Sequence, residues 1–296
     1  MPRRPERRLH VFADSAPLGR RLARAAGVTS VAVRVHRFPD GETLVRVGRP
    51  VGRHAYLLRA LHDPDAKLVA TVLAADALRR AGAETVTLIA PYLPYMRQDA
   101  VFRAGEPVSQ RVIGRLLGRA FDGVLTVEAH LHRVATLRAV VPGASRSLSA
   151  AAAIAAWLGH EAETWLVGPD VESRPWVEAI ACAAGTPYVI ARKTRRGDRA
   201  VAVRVPRVPR GIRAVIVDDI ASSGATIAAT ARALRRAGAG VVDAVVVHPI
   251  FAPGARTRMR AAGVRRLASC DTIPHPTNAI AIAPVLAQAL VSERSA

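Results

Sequence analysis

Short runs of β-branched and aliphatic residues alternate along this chain with longer stretches whose apolar residues recur every three or four positions. The short runs predict buried strands, and the longer stretches predict amphipathic helices. The first half contains predicted strands at 31–38, 55–59, 85–90 and 123–127, and predicted helices at 18–25, 66–80 and 107–119. The second half contains predicted strands at 165–167, 188–191, 214–217 and 242–247, and predicted helices at 150–158, 174–184 and 225–237.

Strands and helices that alternate in this way predict the α/β class, with two domains of mostly parallel sheet flanked by helices. Proline, glycine and serine interrupt the pattern at 142–147, so we place the domain boundary between residues 146 and 147. The segment 188–205 departs from the alternation, because two strands are joined there by the basic stretch 193–199. This pattern predicts a hairpin with a basic, mobile tip.

The composition of the 296 residues is that of an ordinary globular protein, with 50% hydrophobic and 22% charged residues. No apolar run approaches the roughly 20 residues that cross a bilayer, so we expect a cytoplasmic protein with no membrane contact. Lys and Arg outnumber Asp and Glu by 43 to 23, which gives a net charge of +20. Because the arginines are scattered rather than clustered, this charge favours a general solvated basic surface over a dedicated nucleic-acid surface. Anionic small substrates are a third interpretation, which the motifs below favour.

The most informative motif runs from an apolar strand through two acids into a helix. Asp218 and Asp219 end the strand, and the small residues Ser222, Ser223 and Gly224 precede a helix that begins with 225–226. Backbone N–H groups at such a turn can bind a phosphate, which the two acids would repel. The acids suit sugar hydroxyls or a hydrated divalent cation instead. The motif therefore predicts a phosphorylated sugar, the alternative being an acidic turn that only caps the helix.

This strand–Asp–Asp–turn–helix motif resembles the phosphoribosyl diphosphate (PRPP) binding motif of the type I phosphoribosyltransferase fold. Phosphoribosyltransferases and ribose-phosphate diphosphokinases (PRPP synthetases) share that motif. Further segments are similar to synthetase elements and follow in family order: FPDGE at 38–42, PYLPYMRQD at 91–99, GEPVS at 105–109, TVEAH at 126–130, GPD at 168–170 and KTR at 193–195. The chain is therefore identified as similar to the synthetases over about residues 9–290, and closer to their archaeal-type branch.

The resemblance implies two similar phosphoribosyltransferase-type domains, 1–146 on the ATP side and 147–296 on the ribose 5-phosphate side. The active site is expected between them, and the last helix is expected to be able to pack back on the first. It implies Mg²⁺-dependent transfer of the diphosphoryl group of ATP to the 1-hydroxyl of ribose 5-phosphate, giving PRPP and AMP. It also implies a homo-oligomer, a dimer or hexamer, in which a neighbouring subunit contributes to the ATP site.

By the same resemblance, each candidate site residue has an expected role. The expected catalytic residues are Lys193 and Arg195. The expected ATP-binding residues are Asp40, Glu42, Arg97, Gln98, Asp99 and His130. The expected ribose 5-phosphate-binding residues are Asp218, Asp219, Ser222, Ser223, Gly224, Ala225 and Thr226. The expected Mg²⁺-binding residues are His130 and Asp170, whereas we expect a structural role for His132.

The chain also departs from the family pattern, and two further interpretations stay open. Glu172 and Ser173 stand where two glycines usually follow the PD element, and Glu128 replaces an aspartate. Glycines would let the backbone approach a diphosphate closely, whereas a glutamate adds negative charge beside it. The alternatives are a phosphoribosyltransferase that consumes PRPP, and a catalytically silent, synthetase-like regulatory subunit.

Overall fold

The computed structural model describes residues 6–159, 163–196 and 200–292, with side chains other than those of 193–202. The chain divides into two compact units, one comprising Met1–Leu148 with Ala283–Ala296 and the other Ser149–Ile282. Strands and helices alternate in both units, which confirms the predicted α/β class. Within the described ranges, no helix has the length and apolar character needed to cross a membrane.

The first unit is built on one mostly parallel sheet. Its strands are β1 (Arg7–Phe12), β2 (Ser30–Arg37), β3 (Thr43–Val47), β4 (His54–Leu58), β5 (Thr85–Ile89), β6 (Gly123–Val127) and β7 (Arg146–Leu148). Its helices are α1 (Ala16–Ala26), α2 (Pro64–Arg80), α3 (Ser109–Ala120) and, from the far end of the chain, α8 (Ala283–Ser292). The strand order is β3-β2-β1-β4-β5-β6-β7, and only the β2–β3 pair is antiparallel.

The second unit carries a parallel sheet and a separate hairpin. Its strands are β8 (Thr164–Gly168), β9 (Tyr188–Ile190), β10 (Arg192–Arg196), β11 (Ala200–Arg204), β12 (Arg213–Ala221), β13 (Val241–Pro249), β14 (Leu267–Cys270) and β15 (Asn278–Ile280). Its helices are α4 (Ala151–Leu158), α5 (Arg174–Ala184), α6 (Ala225–Arg236) and α7 (Ala255–Ala261). The sheet order is β15-β14-β13-β12-β8-β9, and β10 pairs with β11 alone. A hairpin is therefore present, but its bounds differ from the prediction. The predicted first strand, 188–191, corresponds to β9 of the main sheet, and 193–196, predicted to lie in the tip, belong to β10. Residues 197–199 lie outside the described residues.

Buried aliphatic side chains hold each sheet to its helices. In the first unit, Phe12, Leu57 and Leu88 pack under α2, and in the second, Ile216 and Val246 belong to the core that covers one face of the sheet. Burying one such side chain contributes about 1.5–3 kcal/mol, so these faces supply most of the stability of each unit.

An ion triad, in which Arg213 and Asp243 are buried and Arg265 is exposed, closes the amino end of the second sheet. Asp243, which is fully buried, accepts hydrogen bonds from Arg213 Nε at 2.9 Å and from Arg265 at 3.1 Å. Breaking such a pair leaves an uncompensated buried charge, so the triad fixes β12 beside β13 at the end of the sheet opposite the acids of β12.

Candidate functional site

In the second unit, the candidate acids meet at the point where the chain changes direction across the sheet. β8 and β12 are neighbours, with Val167 paired to Ile216, but β8 leads outward to β9 whereas β12 leads the other way to β13. Ligands of open α/β sheets bind at such a switch point, beyond the carboxyl ends of the strands. Asp170 follows β8, and Asp218 and Asp219 lie near the end of β12. The sheet therefore brings these three carboxylates to one crevice.

The electrostatics of this crevice favour a cation or hydrogen-bond donors. Burial raises the pKa of Asp218 well above its usual range, and the negative charges of Asp219 and Asp170 raise it further. Each of the twin aspartates accepts a backbone N–H, Asp218 from the next residue at 3.1 Å and Asp219 from Ile220 at 2.7 Å. These bonds fix the carboxylates in place but do not offset their mutual repulsion. A sugar hydroxyl that donates a hydrogen bond, or a hydrated cation, would offset this repulsion.

The turn after the acids has the geometry predicted for an anion site. Gly224, the residue before α6, has a left-handed backbone (φ +69°), and an added Cβ would approach Met259 Cγ to 3.0 Å. Glycine is therefore required here both by conformation and by space. Ser223 Oγ accepts the N–H of Ala225 at 3.4 Å, and Arg258 holds the turn through the Ser223 carbonyl. The first N–H groups of a helix have no intrahelical partner, so those that follow Ala225 in the first turn of α6 are available to a phosphate.

The conformation of the loop after β8 accommodates Glu172 and Ser173 at the positions where the family pattern has two glycines. Residues Val171–Ser173 form a single 3₁₀ turn, for which no left-handed residue is needed. Ser173 is fully buried, donates its N–H to Asp170 Oδ1 at 3.3 Å, and donates its hydroxyl to the Asp170 carbonyl at 2.6 Å. Ser173 thus positions Asp170, a role that the sequence pattern did not suggest.

In the first unit, two of the candidate nucleotide segments lie beside each other. Arg97 is exposed, and Gln98 accepts the Ser109 hydroxyl at 2.8 Å, which ties its segment to the start of α3. Asp99, whose side chain is nearly buried, pairs with Arg133 at 3.3 Å. Arg133 belongs to the loop after β6 that also carries His130. The structure therefore brings Arg97–Asp99 and the His130 loop together.

His130 faces the histidine for which only a structural role was expected. The Nε2 atoms of His130 and His132 are 2.6 Å apart, and their rings meet edge to face with centroids at 3.9 Å. Their spacing of two residues hinted at this, since such residues on an extended segment point the same way. These residues lie outside any strand, however, so the spacing alone did not predict the contact.

Asp40 and Glu42 lie far from His130 in the same chain. Both are exposed in the tight β2–β3 connection, where Glu42 N–H donates to Asp40 Oδ1 at 3.0 Å. From β2 to β6 there are four strand spacings, so the two carboxyl ends are about 19 Å apart. One unit alone does not assemble all the predicted ATP ligands.

The predicted catalytic residues lie on β10, where Lys193 pairs in register with Val203 and Arg195 with Val201. The register places them on the hairpin, as expected. Their side chains lie outside the described part of the structure.

The switch point of the first sheet, between β1 and β4, holds a self-contained ion cluster that the sequence did not suggest. Asp14 pairs with Arg59 Nε at 3.1 Å and with Lys67 Nζ at 3.7 Å, and Lys67 also contacts His62 at 3.0 Å. Burial lowers the pKa of Lys67. Asp14 bridges the two cations and offsets one of their two positive charges, and these contacts link β1, β4 and α2.

No group of three or more His, Cys, Asp or Glu side chains forms a metal site in the portions of the chain that the structure describes. A divalent cation here would take its remaining ligands from substrate phosphates and water, which is how Mg²⁺ is usually bound. The carboxylates of the second unit suit such a cation.

The second unit, a mostly parallel sheet flanked by helices with twin aspartates and a glycine-containing turn at its switch point, belongs to the phosphoribosyltransferase class of proteins. Residues 144–286 match the phosphoribosyl transferase domain, and residues 9–120 match the N-terminal domain of ribose phosphate pyrophosphokinase. The chain belongs to the ribose-phosphate pyrophosphokinase family.

Individual relatives cover almost the whole chain. The ribose-phosphate pyrophosphokinase of Methanopyrus kandleri is 34% identical over 283 residues, which cover 94% of this chain and 96% of that protein. The enzyme of the same name from Thermococcus kodakarensis is 35% identical over 265 residues, covering 89% and 93%. The phosphoribosylpyrophosphate synthetase of Mycobacterium smegmatis has the same fold, with a TM-score of 0.85, 26% identity, and coverage of 98% and 99%. All three confirm the resemblance to the synthetases, and the two archaeal enzymes confirm that it extends to the archaeal-type branch.

Proposed function

We propose that this protein transfers the diphosphoryl group of ATP to the 1-hydroxyl of ribose 5-phosphate, giving PRPP and AMP. The observation that carries the proposal is the crevice of the second unit, where three carboxylates adjoin a small-residue turn at the start of α6. The acids suit the ribose hydroxyls, and the turn suits the 5-phosphate. Similarity to synthetases over almost the full length supports this reaction over a phosphoribosyltransferase reaction.

In this reaction the 1-hydroxyl oxygen bonds to the β-phosphorus, and the bond from that phosphorus to the α–β bridging oxygen breaks. AMP leaves with the bridging oxygen, and the hydroxyl proton passes to solvent. Asp218 and Asp219 orient the ribose by accepting hydrogen bonds from its hydroxyl groups, and Ser222–Thr226 hold the 5-phosphate. Such transfer depends mostly on alignment and on cations near the phosphoryl oxygens, which is the role we assign to Lys193 and Arg195.

Mg²⁺, when bound, would neutralise charge on the ATP phosphates. His130 and Asp170 are the residues we propose to hold it. Ser173 orients the Asp170 carboxylate, and the raised pKa of Asp218 fits a crevice that a cation stabilises. Arg97, Gln98 and Asp99 are proposed to contact the nucleotide.

We further propose that Asp40 and Glu42 act in the ATP site of a neighbouring subunit. The four strand spacings, about 19 Å, that separate the carboxyl ends of β2 and β6 support this assignment. Mixing Asp40→Ala chains with His130→Ala chains should restore part of the turnover that each variant lacks. No recovery, in a mixture shown to contain hybrid oligomers, would contradict it.

The reaction itself is tested by incubating the protein with ATP, Mg²⁺ and a panel of phosphorylated pentoses while phosphorus NMR follows the products. AMP formed only with ribose 5-phosphate supports the proposal. ADP would indicate monophosphoryl transfer, and no turnover would favour a silent regulatory subunit. Lys193→Ala should lower turnover by orders of magnitude with little change in affinity for ribose 5-phosphate, whereas Arg196→Ala on the same strand serves as the control.

A further inference from the structure

The turn that precedes α6 is held from behind by the segment that leads into α7. Ala252 N–H donates to the Ser222 carbonyl at 3.1 Å, and the Arg258 guanidinium donates to the Ser223 carbonyl. One donor lies in the loop after β13, and the other lies on α7. Two successive carbonyls of the turn therefore point toward this segment.

The direction of these carbonyls fixes the direction of two N–H groups. In a planar trans peptide, the C=O and the N–H point opposite ways. The Ser223 N–H shares a peptide with the Ser222 carbonyl, and the Gly224 N–H shares one with the Ser223 carbonyl. Both N–H groups therefore point away from α7, and neither donates to another group in the described ranges of the chain. They are available to an anion together with the N–H groups of the first turn of α6.

The Ser223–Gly224 peptide depends on Arg258 for its orientation. Glycine takes either sign of φ readily, so this peptide can turn over and present its carbonyl to the anion instead. Ser223 is exposed, so burial does not prevent the change. A carbonyl oxygen repels a phosphate, whereas an N–H group binds it. Because hydrogen bonds from a charged donor are the stronger kind, the contact with the guanidinium favours the orientation that binds.

We propose that Arg258 is a positioning residue: by binding the Ser223 carbonyl, it directs the Gly224 N–H toward the 5-phosphate of ribose 5-phosphate. Arg258 acts through the turn and not on the reacting phosphorus, so its removal should affect the KM for ribose 5-phosphate and not kcat. The inference deepens the proposed function and rests on it for the identity of the phosphate. The orientation of the peptide, however, can be measured without substrate.

The sequence allows this one peptide to be observed alone. Ser223 and Gly224 form the only Ser–Gly pair in the chain, so serine labelled with ¹³C at the carbonyl and glycine labelled with ¹⁵N give one NMR signal that joins the two. Arg258→Met should shift the signal without ligand, because the carbonyl loses its donor. In the unmodified protein, ribose 5-phosphate should shift the Gly224 amide proton.

Calorimetry and steady-state kinetics measure the consequence for binding. Arg258→Met should weaken ribose 5-phosphate binding at least about tenfold and raise its KM by a similar factor, with kcat and the KM for ATP nearly unchanged. Arg258→Lys, whose ammonium can donate to the same carbonyl, should recover most of the affinity and the original signal. The control is Arg260→Met on the same helix, which should change neither. Arg258 is exposed, so these variants leave the core intact.

The possible results distinguish this inference from the proposed function. If Arg258→Met binds ribose 5-phosphate with unchanged affinity, or loses affinity while the ligand-free signal stays in place, Arg258 does not position the peptide and the inference is wrong. Recovery of affinity by Arg258→Lys without recovery of the signal would also overturn it, since charge alone would then act. If the signal and the affinity both depend on Arg258 but ATP yields no PRPP, the inference stands and the proposed function fails. If ribose 5-phosphate leaves the Gly224 proton unmoved in the unmodified protein, both are wrong.

Discussion

The His10 ring makes the stability of the first unit sensitive to mild acid. It lies on β1 between Val31 of β2 and Leu57 of β4, is fully buried, and has no hydrogen-bond partner at either nitrogen among the described residues. Burial lowers its pKa from 6.5 to about 4, and the positive charge of Arg8 contributes to the shift. The folded unit therefore keeps the ring neutral well below the pH at which a free histidine is protonated.

The sign and size of the effect follow from the difference between these two values. Between pH 6.5 and about 4 the unfolded chain binds more protons than the folded chain, so the free energy of unfolding falls as the pH is lowered through that window. A difference of this size corresponds to about 3 kcal/mol. Typical domains have only about 5–15 kcal/mol of stability, so this loss is a large part of the total.

The perturbation is His10→Leu, which keeps a similar volume and removes both unpartnered nitrogens. At neutral pH it should stabilise the first unit by about 1–3 kcal/mol. It should also remove the decrease of about 3 kcal/mol in the free energy of unfolding that His10 causes between neutral pH and pH 4. His36→Gln, at an exposed position of β2, is the control and should change neither quantity.

Urea unfolding at several pH values measures this prediction. Trp157, Trp165 and Trp176 all belong to the second unit, so fluorescence follows that unit, whereas far-ultraviolet circular dichroism follows both. A change in circular dichroism that has no counterpart in tryptophan fluorescence therefore reports unfolding of the first unit. Equal pH dependence of this transition in the His10→Leu and unmodified proteins would refute the reasoning.

Three further substitutions test the second unit. Gly224→Ala should destabilise the second unit by at least about 1 kcal/mol because of the left-handed backbone, and it should weaken ribose 5-phosphate binding. If ribose 5-phosphate raises the melting temperature of this variant as much as that of the unmodified protein, the proposed role of the turn is wrong. Asp243→Ala should lower the free energy of unfolding by about 3–5 kcal/mol because it leaves the buried Arg213 without its carboxylate partner. Tryptophan fluorescence in urea measures this loss, and a value below about 1 kcal/mol would show that the triad is not structural. Ser173→Ala should cost about 1 kcal/mol by the same measurement and lower Mg²⁺-dependent turnover, whereas unchanged turnover would mean that Asp170 needs no support.

Much of the fold could be predicted because strand and helix periodicities differ plainly along the chain. β6 and α5 have the predicted bounds, and α2 and β5 differ from them by one or two residues. β1 was missed because Arg7, Arg8 and His10 interrupt its apolar residues, although four of its six positions are buried. Short edge strands such as β7 and β15 carry too few residues to show a period.

The candidate site was predictable where its residues are consecutive and not where it depends on strand order. The turn at 222–226 forms a local unit, so its geometry follows from its sequence. The distance between Asp40 and His130 depends on which strands lie between β2 and β6, which no local pattern encodes. The contact between His130 and His132, and the support that Ser173 gives Asp170, depend on loop conformations in the same way.

The position of α8 has a consequence for how the protein is made. α8 packs on α1, and Arg7 donates to the Leu290 carbonyl at 2.8 Å, so the last helix completes the unit that the first strand begins. During synthesis, Ser149–Ile282 emerges from the ribosome with all of its own partners, whereas the earlier segment must wait for α8. The second unit can therefore fold first although it is translated later, and chaperones would meet the exposed surface of α1 during that delay.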